Sequence, residues 1–485
     1  MRKKPINNTY DQLAKLPLPH EAVITRDLYV GLIVPPSPFV VPCGWEWVHT
    51  APFEGPSVIA ALIKGLGFRF RLLDQRDDFV PESLSSKLTQ FDVIGVAAYE
   101  DNFPYIKQVI ELAKRENPDA PVILGGPLVT SAPGLVMENT LADYAVLGEG
   151  ELTTIELMEL LSGSQISQPV EAIKGLAWKK PGGEVIINEP RQQMENLEAV
   201  PLQDFSIWER FKNKQIPEIY LSTSRGCPHN CTFCYRAIPR LRLKSPERVR
   251  KEIEYLKSYH FQHAWINDLC FVLDKERTHQ ILDKAFNAHR FSWNCFDRVT
   301  GVDLDVLRHM KERGCDIILY GFEAISQDIL DYYKKGITKD NMINAITITR
   351  EAGIKVGGLF IIGSPGETKE SLQRIIEFCN DFKEITRVKY LSAIPGTQLY
   401  RQAVKNGTIK NQLEHLYFLA REQSVEEDID KKGFLLLCTK ISKEDLRYTY
   451  HTINSCIEKR PYEYWQDQNT FLKQGKKFQR RPVTT

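Results

Sequence analysis

Thr223-Ser-Arg-Gly-Cys-Pro-His-Asn-Cys-Thr-Phe-Cys-Tyr235 places three thiols, Cys227, Cys231 and Cys234, in one short loop with C-x3-C-x2-C spacing. The loop follows a strand-like stretch, 219–223. Thiolates are soft ligands that favour iron–sulfur clusters or zinc. Three donors cannot serve all four irons of a [4Fe–4S] cubane, so one iron is left open to a small molecule and can pass it an electron. The competing reading is structural zinc, with His229 as a fourth ligand. Against it, no second cysteine pair follows at zinc-ribbon spacing.

Downstream of this loop, strand and helix patterns alternate with a long beat. Strands are expected at 219–223, 263–267, 292–296, 316–322, 355–362 and 386–393. Helices are expected at 246–258, 274–288, 303–313, 339–353 and 369–382. Six βα units make a partial barrel, an open relative of the eightfold barrel, with function at the carboxyl ends of its strands.

Upstream, a shorter alternation begins with Leu28-Tyr-Val-Gly-Leu-Ile-Val34, an apolar run closed by Pro35-Pro36. Further strands are expected at Phe68–Asp74, Asp92–Ala98, Pro121–Pro127 and Asp143–Leu147, with helices near 56–66 and 103–116. Continuous apolar runs suit parallel strands buried on both faces, so this half reads as a doubly wound α/β domain. Gly125, Gly126 and the run Gly148-Glu149-Gly150-Glu151 fall at strand ends, where ligands bind such sheets. Tight turns without a ligand explain these glycines equally well.

Length and composition fit this division. A chain of 485 residues is too long for one ordinary core. The expected domains are 1–200, an α/β domain with a hairpin linker; 201–400, a partial barrel; and 401–485, a mainly helical region. With 42% hydrophobic and 26% charged residues and a net charge of +1, no global field draws the chain to nucleic acid or to a membrane surface. No apolar run reaches the roughly 18 residues of a membrane span. The N-terminus has no apolar segment typical of a signal peptide. Ten cysteines without regular spacing fit reduced thiols in a cytoplasm. The basic stretch 473–481 reads as a solvated tail.

The strand-end motifs, taken in order, resemble the radical SAM superfamily over roughly 215–400. The cysteine loop carries Phe233 at the aromatic position. Asn267-Asp268 stands where relatives show Asp-Asp, Arg298 follows strand three, and Gly321-Phe-Glu323 stands where relatives have Gly-x-Glu. Ile361-Ile-Gly-Ser-Pro-Gly-Glu-Thr368 and Pro395-Gly-Thr397 close strands five and six. Residues 28–200, with Gly125-Gly126, Gly148-Glu149-Gly and the hairpin 175–187, resemble the cobalamin-binding domain of B12-type radical SAM proteins. One departure is clear: the Asp-x-His-x-x-Gly motif is replaced by Pro35–Pro42, and His49 is not at the right spacing. Binding of cobalamin without a histidine ligand, and the same fold without cobalamin, both stay open.

The resemblance implies that Cys227, Cys231 and Cys234 hold three irons of a [4Fe–4S] cluster. The fourth iron then chelates S-adenosylmethionine and splits it to a 5′-deoxyadenosyl radical. Phe233 is expected near the adenine, Glu323 at the amino or ribose groups, Asp268 at S-adenosylmethionine or substrate, and Arg298 at a carboxylate. Gly363 is expected to admit the adenosine, and Gly125, Gly126 and Glu149 to line the cobalamin side. Cys270, two residues beyond Asp268, reads as a core thiol or as a hydrogen-atom donor. A small-molecule substrate and an external electron donor such as flavodoxin or ferredoxin complete the expectation. Three functions remain: cobalamin-dependent methylation of an unactivated carbon, a cobalamin-independent dehydration, cyclisation or rearrangement, and an iron–sulfur redox protein that is not an enzyme.

Overall fold

The computed structural model describes residues 9, 12–36, 51–76, 79–165, 167–211, 216, 218–235, 240–287, 291–423, 437 and 440–458. His49, Cys43, Cys438 and the basic tail lie outside them.

The first half builds a seven-stranded sheet in the order β2-β1-β3-β4-β5-β6-β7. Its strands are β1 Tyr29–Val34, β2 Arg69–Asp74, β3 Val93–Ala97, β4 Val122–Gly125, β5 Tyr144–Val146, β6 Leu176–Lys179 and β7 Val185–Ile187. The first five are parallel. Alternation along each strand feeds two cores. Val30 and Val93 face the helices Glu54–Gly65 and Gly150–Leu161, while Ile33, Ile94 and Val96 face Phe103–Glu116. The hairpin, expected as a linker, instead extends this sheet by two antiparallel strands. Strand order reverses between β1 and β3, and at such a switch point the flanking connections diverge and leave a crevice.

The second half is a six-stranded parallel sheet curved into an open barrel, in the order β15-β14-β13-β12-β11-β8. Its first strand is β8 Glu218–Leu221. Two short strands absent from the sequence reading come next, β9 Ser224–Arg225 and β10 Arg242–Leu243, paired antiparallel. They are followed by β11 His263–Ile266, β12 Ser292–Asp297, β13 Cys315–Glu323, β14 Lys355–Ile362 and β15 Ile385–Tyr390. The inner wall carries Tyr220, Trp265, Phe296, Ile317, Leu319 and Leu359. The outer face packs on helices started by capping side chains, such as Ser245 before Pro246–Leu256 and the reciprocal Thr338–Asn341 pair before Lys339–Glu351.

The helix Glu54–Gly65 is buried along most of its length, because the sheet lies on one side and the barrel on the other. Its Ser57 Oγ accepts from Trp208 Nε1 at 2.9 Å. The C-terminal helices close on both halves. In Gln412–Gln423, Leu416 enters the core of the first sheet and Tyr417 meets Phe103 edge-on. Lys443–Glu458 runs along the last barrel strand, where Tyr450 stacks on Tyr390 at 4.9 Å.

Candidate functional site

The cysteine loop leaves the carboxyl end of β8 and is fixed at its base. Asp268, 2% exposed, accepts from Thr223 N at 2.6 Å, Thr223 Oγ1 at 2.5 Å and Ser224 N at 3.0 Å. Its carboxylate thus fixes the loop that carries the thiols. Gly226 takes the left-handed backbone that begins the turn. Further along, Thr232 N donates to Tyr333 O at 3.0 Å, and Phe233 meets the Tyr333 ring edge-on at 4.7 Å.

Cys227, Cys231 and Cys234 are all half-buried. Burial, followed by the neighbouring thiols Cys231 and Cys227, pushes Cys234 up to about 11. A thiol held so high ionises when a metal takes the proton's place. Among the described residues, no three His, Cys, Asp or Glu side chains converge on a single ion position. Cys270 is buried, and its hydrogen bond to Cys227 is the largest cause of its raised pKa. It therefore stands beside a candidate ligand.

The other strand ends supply charge. Glu323 ends β13 at a register shift and has a left-handed backbone, with φ of 66°. Its Oε1 accepts from Lys335 Nζ at 2.7 Å. The same ammonium lies 2.8 Å from where a side chain on Gly321 would begin, so this glycine leaves room for it. Arg298 is buried; its Nη2 donates to Lys335 O, and its Nε has no hydrogen-bond partner among the described residues. An orphaned buried guanidinium N–H is costly unless an acceptor arrives. A carboxylate, an ammonium and an unfilled guanidinium N–H suit the zwitterionic end of an amino acid such as that of S-adenosylmethionine. Asp297, just before Arg298, is pushed up to about 7 by burial. Gly363 has φ of 95°, and its N–H donates to Glu367 Oε2 at 3.3 Å.

Sequence reading missed Lys335. It sits in Tyr332-Tyr-Lys-Lys-Gly-Ile-Thr338, whose only local signal is two cations before a glycine. Its acidic partner is visible only once β13 bends back.

A cavity of about 770 Å³ joins the two halves. On the sheet side it is apolar, with Val30, Leu32, Val58, Ile63 and Val93 at the β1/β3 switch point. On the barrel side it meets Tyr220, Trp265, Asn267 and Phe296, with Trp265 stacked on Phe296 at 5.1 Å. A side chain begun at Gly55, Gly125 or Gly148 would meet nothing within 4 Å among the described residues, so these glycines keep the wall open. Gly126 differs: its φ is 128° and a Cβ would lie 2.5 Å from Ala98 O, so it serves the turn. A large, flat, mostly apolar group with polar edges, such as a corrin and its nucleotide tail, fits this slot. Glu149 reaches the cavity, but its carboxylate is held by Arg225 Nη1 at 3.0 Å, Arg242 Nη1 at 2.7 Å and Met194 N at 2.8 Å. Burial works to raise it; Arg242 and Arg225 outweigh that and hold it below the usual carboxylate range.

Comparison with known proteins agrees with this geometry. Residues 221–379 match the Radical SAM superfamily, and residues 54–158 match the B12 binding domain. The chain is 33% identical over 330 residues to the uncharacterized methyltransferase PH0819 of Pyrococcus horikoshii, covering 66% of this chain and 70% of that one. It is 26% identical over 330 residues to the anaerobic magnesium-protoporphyrin IX monomethyl ester cyclase of Rubrivivax gelatinosus, covering 63% and 57%. The solved structure of the radical S-adenosylmethionine methyltransferase TsrM from Kitasatospora setae, with cobalamin and a [4Fe–4S] cluster bound, shares the fold. Its TM-score is 0.64 at 19% identity, covering 79% of this chain and 76% of that one. The protein belongs to the radical SAM enzymes that carry a B12-binding domain. It is therefore an enzyme that uses a [4Fe–4S] cluster and S-adenosylmethionine, acting on a substrate with the help of a reductant, and the non-enzymatic redox reading is set aside. No helix among the described residues is long and apolar enough to cross a membrane.

Proposed function

We propose that this enzyme methylates an unactivated carbon of a small-molecule substrate with a methyl group carried by cobalamin. The continuity of the cavity, from the apolar slot of the first domain to the Trp265 and Phe296 wall of the barrel, carries this reading. A cofactor held in the slot would share one continuous space with whatever the barrel holds. The methyltransferase names of PH0819 and TsrM support it.

When bound, the cluster supplies the electron that splits S-adenosylmethionine to methionine and a 5′-deoxyadenosyl radical, and cobalamin supplies the methyl group. The chain's own residues hold and orient. Cys227, Cys231 and Cys234 ligate three irons. Glu323 takes the ammonium of S-adenosylmethionine, and Arg298 Nε takes its carboxylate. Phe233 and Gly363 border the adenosine. Asp268 keeps the loop in register, and Cys270 supports Cys227 instead of donating hydrogen. The aromatic wall excludes water, which protects a reactive radical. Flavodoxin or ferredoxin is the proposed electron donor, and the cytoplasm the proposed compartment.

The identity to the magnesium-protoporphyrin ester cyclase favours a second reading, hydrogen abstraction followed by ring closure without methyl transfer. Anaerobic reconstitution with iron, sulfide and hydroxocobalamin, followed by S-adenosylmethionine and reductant, tests both. Retained cobalamin with 5′-deoxyadenosine and S-adenosylhomocysteine is expected. 5′-Deoxyadenosine alone would transfer the case to the second reading, and neither product would defeat both.

A further inference from the structure

The base of the cysteine loop contains an arrangement that electrostatics alone would open. Arg225 on β9 and Arg242 on β10 are directly opposite each other in a ribbon only two residues long. Like charges facing across a strand pair destabilise it, and Arg242 is only 6% exposed, so water screens it little. Two carboxylates resolve the conflict, and Glu149 touches both arginines. Glu149 offers Oε1 to Arg225 and Oε2 to Arg242, while Glu151 takes the second arm of Arg225 at 2.6 Å. Burial opposes the charge on Arg225, but Glu151 and Glu149 outweigh it and raise its pKa. Glu149 and Glu151 belong to the first domain, at the turn into Gly150–Leu161, and both border the cavity together with Arg225 and Gly226.

We propose that Glu149 is a positioning residue that sets the cluster-bearing loop by joining its two ends, and that through it the ligand of the cavity and the cluster influence one another's binding. The second clause rests on the reading of the cavity as a cobalamin site. Arg225 and Arg242 flank the cysteines in the chain and are paired in one ribbon, and that ribbon is neutralised from the wall of the other domain. A ligand that presses on Gly148–Glu151 therefore acts on the ends of the loop that holds Cys227, Cys231 and Cys234. The coupling must be reciprocal.

The test uses the full chain with hydroxocobalamin as the probe, in cluster-free and cluster-reconstituted forms. For the native chain the two dissociation constants should differ by about tenfold, a common size for coupling between sites. In Glu149→Gln they should converge. The electron paramagnetic resonance signal of the reduced cluster should also lose its change on adding S-adenosylmethionine. Because Glu149→Gln leaves two arginines facing each other, it is paired with the double variant Glu149→Gln/Arg242→Gln, which removes the repulsion and should regain much of the thermal stability and iron content. A Glu149→Gln protein that keeps both the native ratio and the native signal overturns the proposal. So does a double variant no better than the single one. If the native chain binds no hydroxocobalamin, the cobalamin reading falls by itself; the resonance signal and the double variant still decide whether Glu149 positions the loop.

Discussion

Glu323 and Lys335 meet at 2.7 Å where β13 ends, with side chains only 11% and 9% exposed, and Glu323 does so from a left-handed backbone. A non-glycine residue in that region is strained by about 1–3 kcal/mol. The bulge aims the carboxylate into the barrel, and the lysine holds it there. The pair thus keeps one acid oriented and ready for an exchange of partners when a ligand ammonium enters.

Breaking that pair from one side leaves a buried charge alone. Lys335→Met should cost about 3 kcal/mol of unfolding free energy, the low end for a broken buried pair. Lys335→Met with Glu323→Gln should cost clearly less. Urea denaturation of the three proteins, native, single and double, checks this, and equal losses in the single and double variants would contradict it.

The loop acid gives a second expectation. Asp268→Ala orphans Thr223 N, Thr223 Oγ1 and Ser224 N, each at about 1–3 kcal/mol when buried. Iron content after reconstitution should fall with stability. Cys270→Ala, which removes no ligand, should keep its iron, whereas alanine at Cys227, Cys231 or Cys234 should not; iron analysis separates the cases.

Neighbouring glycines should behave in opposite ways. Gly125→Leu places a side chain in open cavity space, so the protein should fold and take up iron but bind hydroxocobalamin at least about tenfold more weakly, a loss of 1.4 kcal/mol or more. Gly126→Leu drives a Cβ against Ala98 O and should fold poorly. Absorbance titration and thermal melts together read the contrast.

Asp297 predicts a pH slope. Burial lifts it from the ordinary 3.8 to about 7, against donors from Val272 N and Arg298 N. The folded state then keeps a proton that the unfolded chain releases. Its contribution is fully present below pH 3.8, is lost as pH rises toward 7, and changes little above that. Asp297→Asn should flatten stability over this window; a wild-type slope in the variant would refute the assignment.

Where side chains face two cores or chemistry demands particular atoms, the sequence is readable. Tyr29–Val34 and Val93–Ala97 show themselves as short apolar runs because helices cover both faces. The three cysteines show themselves because few loops need three soft donors. Long-range electrostatics is hidden: Glu149 finds arginines 76 and 93 residues away, and nothing near it in the chain announces them. The ribbon of β9 and β10 is too short and polar to carry a period. The hairpin 175–187 is visible as a hairpin, but its docking on β5 depends on an open sheet edge that no local pattern records.

Leu416 also bears on how this protein can be handled. It comes from the C-terminal region yet is completely buried in the core of the first sheet, beside a helix more than three hundred residues earlier in the chain. The two family matches suggest separable modules, but a gene cut between them would strip the N-terminal product of part of its own interior. Such a fragment would display a greasy scar and aggregate, so the enzyme is best expressed, divided or fused only with its C-terminal helices retained.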